Sequence, residues 1–191
     1  MDIRSFLAFE LPPEIKKILT DTSKEMKKRL INLRWVKVEN IHLTVIFLGN
    51  FPLDSVDSAG NALGEICERH APFRIQLKGI GTFGGRQNPR VLWAGIEGDL
   101  DRIGALRDQL QGKLAEFGIE KESRKYKPHL TLARFKKGSD PEMELPRILS
   151  EFKDINSSFC MLEELLFLRS DLKPAGAVYT KLKAWPLKGN A

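Results

Sequence analysis

Apolar residues recur at helical spacing in four segments of the chain. The first stripe begins with Ile15, Ile18 and Leu19, has lysines on its opposite face and extends to Leu30. This spacing places the apolar side chains on one face of an amphipathic helix. The predicted helices cover residues 15–30, 56–67, 99–117 and 145–152, with Ser55 as the N-cap of the second and Gly118 at the end of the third.

Shorter apolar segments between these helices have the pattern of β-strands. Phe73, Ile75 and Leu77 alternate with polar residues, as in a strand with one buried face. The predicted strands cover residues 3–9, 41–48, 73–77, 91–96, 129–135, 165–169 and 178–184. Because several strands follow one another without an intervening helix, the pattern favours antiparallel sheets with helices packed on them, an α+β fold.

One glycine-rich segment matches a nucleotide-binding motif but lacks its structural context. Residues 79–84 have the form G-x-G-x-x-G and follow a predicted strand. In dinucleotide-binding proteins this motif opens a helix whose N-terminus receives the pyrophosphate. Here another strand follows instead of a helix, so we predict a flexible loop and no dinucleotide site.

Two predicted strands carry the same tetrapeptide pattern, H-x-T-x. The copies are HLTV at residues 42–45 and HLTL at residues 129–132. Residues two apart in a strand point to the same face, so each copy presents an imidazole beside a hydroxyl. The intervening leucine and the following Val or Leu then face the core. If the two strands are adjacent, both imidazoles and both hydroxyls converge on one groove.

These four side chains suit phosphate chemistry. With an ordinary pKa of about 6.5, His42 and His129 can serve as general base and general acid near neutral pH. The hydroxyls of Thr44 and Thr131 can donate hydrogen bonds to the non-bridging oxygens of a phosphate. We therefore expect a site that uses no metal ion and no cofactor. The third histidine, His70, lies at the end of a predicted helix, and we interpret it as structural.

Longer segments around the tetrapeptides resemble one family. Its opening strand is similar to FLAFELP at residues 6–12, and its first motif block to WVKVENIHLTVIFLG at 35–49. A central strand is similar to PRVLWAG at 89–95, and the second motif block to YKPHLTLAR at 126–134. In these segments, which follow the family's order over most of the chain, the protein resembles the RNA 2′,3′-cyclic phosphodiesterases, also called 2′-5′ RNA ligases, of the two-histidine phosphoesterase superfamily.

The resemblance implies both a fold and a reaction. The fold is a single domain over residues 1–191 with two pseudo-symmetric lobes, each an antiparallel sheet with helices on its outer face, enclosing a central cleft. The reaction opens a terminal 2′,3′-cyclic phosphate on RNA to leave a 2′-phosphate, and reversible ligation of 2′-5′ ends is also associated with the family. By resemblance, His42 is the proton donor to the departing 3′ oxygen and His129 is the proton acceptor that activates water. Thr44 and Thr131 hold the phosphate.

Another candidate lies just after the second motif. Arg134 is five residues beyond His129, an odd offset that turns it away from the His129 face in a regular strand. A bulge or the end of the strand would redirect it, so Arg134 is a candidate phosphate ligand. Weaker candidates are Arg90 for phosphate, and Trp35, Phe83 and Tyr126 for base stacking or for ordinary packing.

The distribution of charge points to an anionic partner. The 191 residues contain 31 Lys and Arg against 25 Asp and Glu, a formal net charge of +6. Between Lys121 and Lys137 there are seven basic residues and one acid, so this segment carries the whole excess. Because it brackets the second motif, we expect it to attract RNA ends, tRNA fragments among them, or cyclic-phosphate nucleotides.

The N-terminal residues, the length of the apolar runs and the cysteines bear on cellular location. The first ten residues carry Asp2, Arg4 and Glu10 and so lack the apolar segment of a signal peptide. No apolar run approaches the roughly 20 residues that a membrane helix requires. Cys67 and Cys160 belong to no CxxC pair, and we expect both to be reduced thiols. We expect a cytoplasmic monomer without membrane contact.

Two other functions would use similar residues. A non-enzymatic module that binds RNA ends would keep the basic groove and could dispense with one or both histidines. A cyclic-nucleotide or small-molecule phosphodiesterase would use the same four side chains on a different substrate. The specificity of such an enzyme would lie in loops whose shape the sequence pattern does not predict.

Overall fold

Four α-helices and two antiparallel β-sheets form the described part of the chain, which confirms the predicted α+β fold. The computed structural model describes residues 1–31, 33–85, 88–136, 144–174 and 176–190. The strands are β1 (Asp2–Glu10), β2 (Leu33–Trp35), β3 (His42–Pro52), β4 (Phe73–Gly85), β5 (Asn88–Gly98), β6 (Leu130–Phe135), β7 (Cys160–Leu162), β8 (Glu164–Lys173) and β9 (Gly176–Pro186). The helices are α1 (Pro13–Arg29), α2 (Val56–Cys67), α3 (Leu100–Leu114) and α4 (Glu144–Glu151), with 3₁₀ turns at Val38–Asn40, Leu53–Ser55 and Ala115–Phe117.

The two motif strands lie in different sheets. Sheet A has the strand order β3-β1-β8-β9, and sheet B has the order β2-β6-β5-β4-β7. The first motif is therefore on an edge strand of sheet A and the second is on β6 of sheet B. The adjacent pairing considered from the sequence does not occur, because β3 pairs with β1 whereas β6 pairs with β2 and β5. The motifs instead face one cleft between the two sheets.

A continuous apolar core packs the helices against both sheets. Its fully buried side chains include Phe9 and Phe51 of sheet A and Phe73 of sheet B. The other face of sheet A carries a smaller cluster formed by Phe6, Ala8, Leu166 and Leu168. Because Phe6 also lines the cleft, this smaller cluster supports the floor beneath the first motif.

The prediction that Gly118 ends the third helix is confirmed, whereas the prediction that the Ser55 side chain caps the second helix is wrong. Gly118 ends the third helical segment with the left-handed backbone (φ of 77°) that favours glycine. Ser55 occupies the N-cap position of α2, but it has helical dihedrals (φ −88°, ψ −5°) and its side chain forms no capping hydrogen bond. The 3₁₀ turn before it runs directly into α2, so the chain enters this helix already in helical conformation.

Residues 79–84 form part of a strand, so the predicted flexible loop is wrong. They belong to β4, which pairs with β5 in antiparallel register. The glycines permit close approach: a Cβ at Gly81 would lie 2.3 Å from the indole ring of Trp93, and one at Gly84 would lie 2.5 Å from the carbonyl oxygen of Asn88. This crowding explains the glycine spacing without any pyrophosphate.

We expect Gly81→Ala to lower the free energy of unfolding by about 1–3 kcal/mol, because the new methyl group overpacks the site against Trp93. Urea unfolding followed by circular dichroism measures this effect. Gly104→Ala is the matched control, since a Cβ at Gly104 of α3 meets nothing within 4 Å. Equal stability of wild type and Gly81→Ala would contradict the packing explanation.

The remaining expectations concern positions away from the cleft. Cys67 is buried, which raises its pKa to about 12, and Cys160 is partly buried; both are free thiols. In the described ranges, no helix combines the length and apolar character needed to cross a membrane. Lys137 and the polar loop predicted after Phe135 lie outside the described residues, except for Lys136.

Candidate active site

The first motif places His42 and Thr44 on the cleft side of β3. Leu43 and Val45 are buried, as the alternation predicted. The register of β3 against β1 shifts after Thr44, so that Val45 is an extra residue without a partner on β1, a β-bulge. Because the bulge reverses the alternation, Phe47 returns to the cleft side, where 66% of it is exposed.

The second motif has a bulge at the equivalent position. Leu130 and Leu132 are buried, and Thr131 lies on the cleft side. The register of β6 against β5 skips Leu132, which is the extra residue here. The reversal brings Arg134 back to the same side as Thr131, so the bulge that its odd offset required is present. His129 itself directly precedes β6 rather than lying within it as predicted.

Three of the four motif side chains and Arg134 line one cavity of about 500 Å³ between the sheets. His42 and Thr44 reach it from sheet A, and Thr131 and Arg134 reach it from sheet B. Among the described residues, its lining contains four cationic side chains and no carboxylate; besides Arg134 these cations are Arg4, Arg34 and Lys37. A cavity of this composition favours a polyanionic ligand.

The fourth motif side chain, His129, lines an adjoining cavity of about 680 Å³. Thr44 and Phe47 line both cavities, so the two adjoin at the first motif. The two motifs therefore lie where the two cavities adjoin, with His42 facing the smaller cavity and His129 facing the larger one.

Both imidazoles are held by the same kind of hydrogen bond. Nδ1 of His42 lies 2.8 Å from the carbonyl oxygen of Asn40, and Nδ1 of His129 lies 2.7 Å from that of Lys127. A carbonyl oxygen only accepts, so Nδ1 carries a proton and donates it in each case. Nε2 of each ring is then the atom left to gain or lose a proton. In both motifs the accepting carbonyl lies two residues before the histidine.

Aromatic packing fixes the ring planes and lowers both histidine pKa values. Phe6 stacks on His42 with ring centroids 4.6 Å apart, and Tyr179 meets it edge-on at 5.2 Å. Phe83 meets His129 edge-on at 4.7 Å. Burial is the main cause that lowers each pKa, against the raising effect of the backbone hydrogen bond; His129 lowers the pKa of His42 further, and Arg134 lowers that of His129.

Tyr126 ties the segment before the second motif to the first motif. Its hydroxyl donates a 2.8 Å hydrogen bond to the carbonyl oxygen of Thr44, across the boundary between the sheets. Burial raises the pKa of this hydroxyl, so it stays protonated as a donor. This bond gives Tyr126 a positioning role. Of the other aromatic candidates, Trp35 lines the smaller cavity and Phe83 the larger one.

Comparison with known proteins identifies the family. The model of the 2′-5′ RNA ligase superfamily matches residues 7–174, which include both motifs and Arg134. The chain belongs to this superfamily. An RNA 2′,3′-cyclic phosphodiesterase of Methanocaldococcus jannaschii is 31% identical over 183 residues, 96% of this chain and 100% of that protein.

Solved structures share the fold of this chain. A protein of Thermus thermophilus superposes with a TM-score of 0.81 at 28% identity, covering 99% of this chain and 100% of that one. LigT of E. coli, crystallised with 3′-AMP, has a TM-score of 0.71 at 23% identity, covering 98% and 99% respectively. The likeness to LigT shows the shared fold.

Several positions of this superfamily member's site could not be found from sequence reasoning. Phe6 and Tyr179 come from distant strands, and only the packing of sheet A brings them to His42. Arg4 and Arg34 reach the smaller cavity from outside the basic segment.

His70 lines neither cavity; its Nε2 lies 3.4 Å from the side-chain oxygen of Gln109. Over the described residues, no three His, Cys, Asp or Glu side chains cluster as metal ligands would.

Proposed function

We propose that this protein is an RNA 2′,3′-cyclic phosphodiesterase that opens the terminal cyclic phosphate of RNA to leave a 2′-phosphate. The observation that carries the proposal is the matched pair of histidines, each with Nδ1 bound to a backbone carbonyl and Nε2 free for proton transfer. Both stand beside threonines, His42 at the smaller cavity and His129 at the larger one, and cations line each cavity. The name shared by the family's curated relatives supports the same reaction.

The proposed reaction moves two protons between the histidines and the substrate. His129 accepts a proton from water at Nε2 as the water oxygen bonds to phosphorus. The bond between phosphorus and the 3′ oxygen breaks, and that oxygen takes a proton from Nε2 of His42. The attacking and leaving oxygens stand roughly in line, so the two imidazoles act from opposite sides of the phosphorus. The same two proton transfers, with a 5′-hydroxyl in place of the water, give the 2′-5′ ligation associated with the family.

Thr44, Thr131 and Arg134 bind the phosphate in this proposal. The two hydroxyls donate to non-bridging oxygens from opposite sheets, and the guanidinium supplies charge-assisted hydrogen bonds. All three line the same cavity as His42. Since both sheets contribute, residues 1–191 act as one domain in this proposal.

We expect a bell-shaped dependence of kcat/KM on pH, because one histidine must be protonated and the other neutral. Both pKa values are lowered in the free protein, so the singly protonated form is most abundant below about pH 6.5, the ordinary histidine value. The maximum of kcat/KM should therefore lie on the acid side of this value. Bound phosphate favours the charged imidazole, so the kcat profile should lie at higher pH. A monotonic rise through neutral pH would contradict the two-histidine proposal.

The proposal is tested with an RNA oligonucleotide that ends in a 2′,3′-cyclic phosphate, in the presence of a chelator. We expect turnover to continue, since imidazoles perform both proton transfers; complete loss would contradict the mechanism. Comparison with 2′,3′-cyclic AMP separates an RNA-specific enzyme from a small-molecule phosphodiesterase. Binding of the oligonucleotide without any turnover would instead favour an RNA-end-binding module.

A further inference from the structure

The larger cavity has a buried polar floor that the hydrolytic mechanism does not use. Arg107 and Gln111 lie one turn apart on α3 and are only 7% and 3% exposed. Both line the cavity of about 680 Å³ that His129 also lines. A volume of this size is within the range of small-molecule sites.

These floor residues have few partners in the protein. Among the described residues the side-chain oxygen of Gln111 has no hydrogen-bond partner. The guanidinium of Arg107 lies 5.1 Å from the centre of the Tyr126 ring and pairs at 3.6 Å with Asp108, whose side chain is exposed. Burying the side-chain oxygen of Gln111 without a donor is unfavourable, which points to a ligand that supplies a hydrogen-bond donor beside Arg107.

The rim of the larger cavity adds further positive charge. In the described part of the lining, Arg107 and four rim residues make five cations, against the single carboxylate of Glu122; the rim residues are Arg90, Arg124, Lys125 and Lys127. Glu122 is itself paired with Arg124, which lowers the pKa of its carboxyl to about 2. The cavity beside His129 therefore carries a net positive charge, which favours a phosphate-bearing ligand.

We propose that this cavity is the subsite for the strand that attacks in 2′-5′ ligation. The inference rests on the proposed function. In an in-line displacement the attacking group enters opposite the leaving oxygen, on the His129 side. The smaller cavity on the His42 side then holds the nucleotide with the cyclic phosphate. The larger cavity holds a nucleotide with a free 5′-hydroxyl, whose 3′-side phosphate binds Arg107 and Lys125 and whose hydroxyl groups can donate to Gln111.

The ligation step at this subsite is balanced without a co-reactant. The 5′-hydroxyl of the attacking strand gives its proton to Nε2 of His129, and its oxygen forms a bond to phosphorus. The bond between phosphorus and the 3′ oxygen breaks, and that oxygen takes the proton of Nε2 of His42. The product is a 2′-5′ phosphodiester, and water competes for the same position.

Acceptor preference tests this subsite. A donor RNA that ends in a 2′,3′-cyclic phosphate is incubated with the wild-type protein and either the dinucleotide ApA or adenosine, both of which carry a 5′-hydroxyl. We expect ApA to be ligated at least tenfold more efficiently than adenosine, because only ApA carries a 3′-side phosphate. Hydrolysis of the donor in the same tube reports the proposed function independently.

Two variants and a control test whether the floor residues cause the preference for ApA. We expect Arg107→Met to remove most of the preference for ApA while lowering hydrolysis much less, and Gln111→Leu to weaken ligation of both acceptors. Lys113→Met changes a residue of the same helix that does not line the cavity, and should behave as wild type. Thermal unfolding shows whether each variant folds. If one variant does not fold, the preference of the wild-type protein for ApA and the result for the other variant test the subsite.

The outcomes separate the two proposals. Absence of both reactions in the wild-type protein would overturn the proposed function. Hydrolysis without ligation at any acceptor concentration, or equal ligation of ApA and adenosine, would overturn the acceptor subsite alone. An equal loss of hydrolysis and ligation in Arg107→Met would also overturn it, since the cavity would then hold the strand with the cyclic phosphate.

Discussion

We expect His42→Ala and His129→Ala each to lower kcat/KM for cyclic-phosphate RNA by about 10²–10⁴-fold, the usual contribution of a general acid or base. Each substitution removes the one ring nitrogen that exchanges protons at its side of the cleft. Single-turnover hydrolysis of an oligonucleotide measures the loss. His70→Ala is the matched control, because this third histidine lines neither cavity. Retention of wild-type activity by either cleft variant would contradict the mechanism.

A change in the leaving group separates the roles of the two histidines. If the 3′ oxygen of the cyclic phosphate is replaced by sulfur, the leaving thiolate needs no proton from an acid. We expect this substrate to restore much of the activity of His42→Ala and little of that of His129→Ala. Restoration of His129→Ala instead would reverse the two assigned roles.

We expect Arg134→Met to lower kcat/KM by roughly 10- to 100-fold. A hydrogen bond to a charged group contributes about 1.5–3 kcal/mol, and about 1.4 kcal/mol corresponds to tenfold in rate. The negative charge on the phosphate oxygens grows as the fifth bond to phosphorus forms. Much of the loss should therefore fall on kcat rather than on KM.

The control for this substitution is Arg147→Met, because Arg147 is an exposed arginine on α4 that pairs with Glu144 and lines neither cavity. Arg134→Lys should recover part of the activity, since it keeps the charge but not the planar fork of donors. An unchanged kcat/KM in Arg134→Met would show that the guanidinium does not contact the reacting phosphate.

The composition of the site was largely predictable because of strand periodicity. The H-x-T-x pattern appears twice, and a period of two places His42 beside Thr44 in any strand. The position of Arg134 was not predictable from periodicity alone. It depends on the bulge at Leu132, where two consecutive core residues, Leu132 and Ala133, are both buried.

Other features depended on packing between distant segments. Residues 79–84 were predicted as a flexible loop, but they belong to β4, where contacts with Trp93 and with the carbonyl oxygen of Asn88 leave no room for a Cβ at Gly81 and Gly84. The basic segment after Lys121 does supply cations to both cavities. Local charge counting nevertheless missed Arg4 and Arg34, since acids elsewhere in the chain balance them in the sum.

The position of the product phosphate tests the central claim most directly. An oligonucleotide that ends in a 2′,3′-cyclic phosphate is incubated with the protein and a chelator, and the product is identified by phosphorus NMR against 2′- and 3′-phosphate standards. Protonation of the 3′ oxygen by His42 predicts a 2′-phosphate product. A 3′-phosphate product would mean that the other phosphorus–oxygen bond breaks, and would contradict the proposed mechanism.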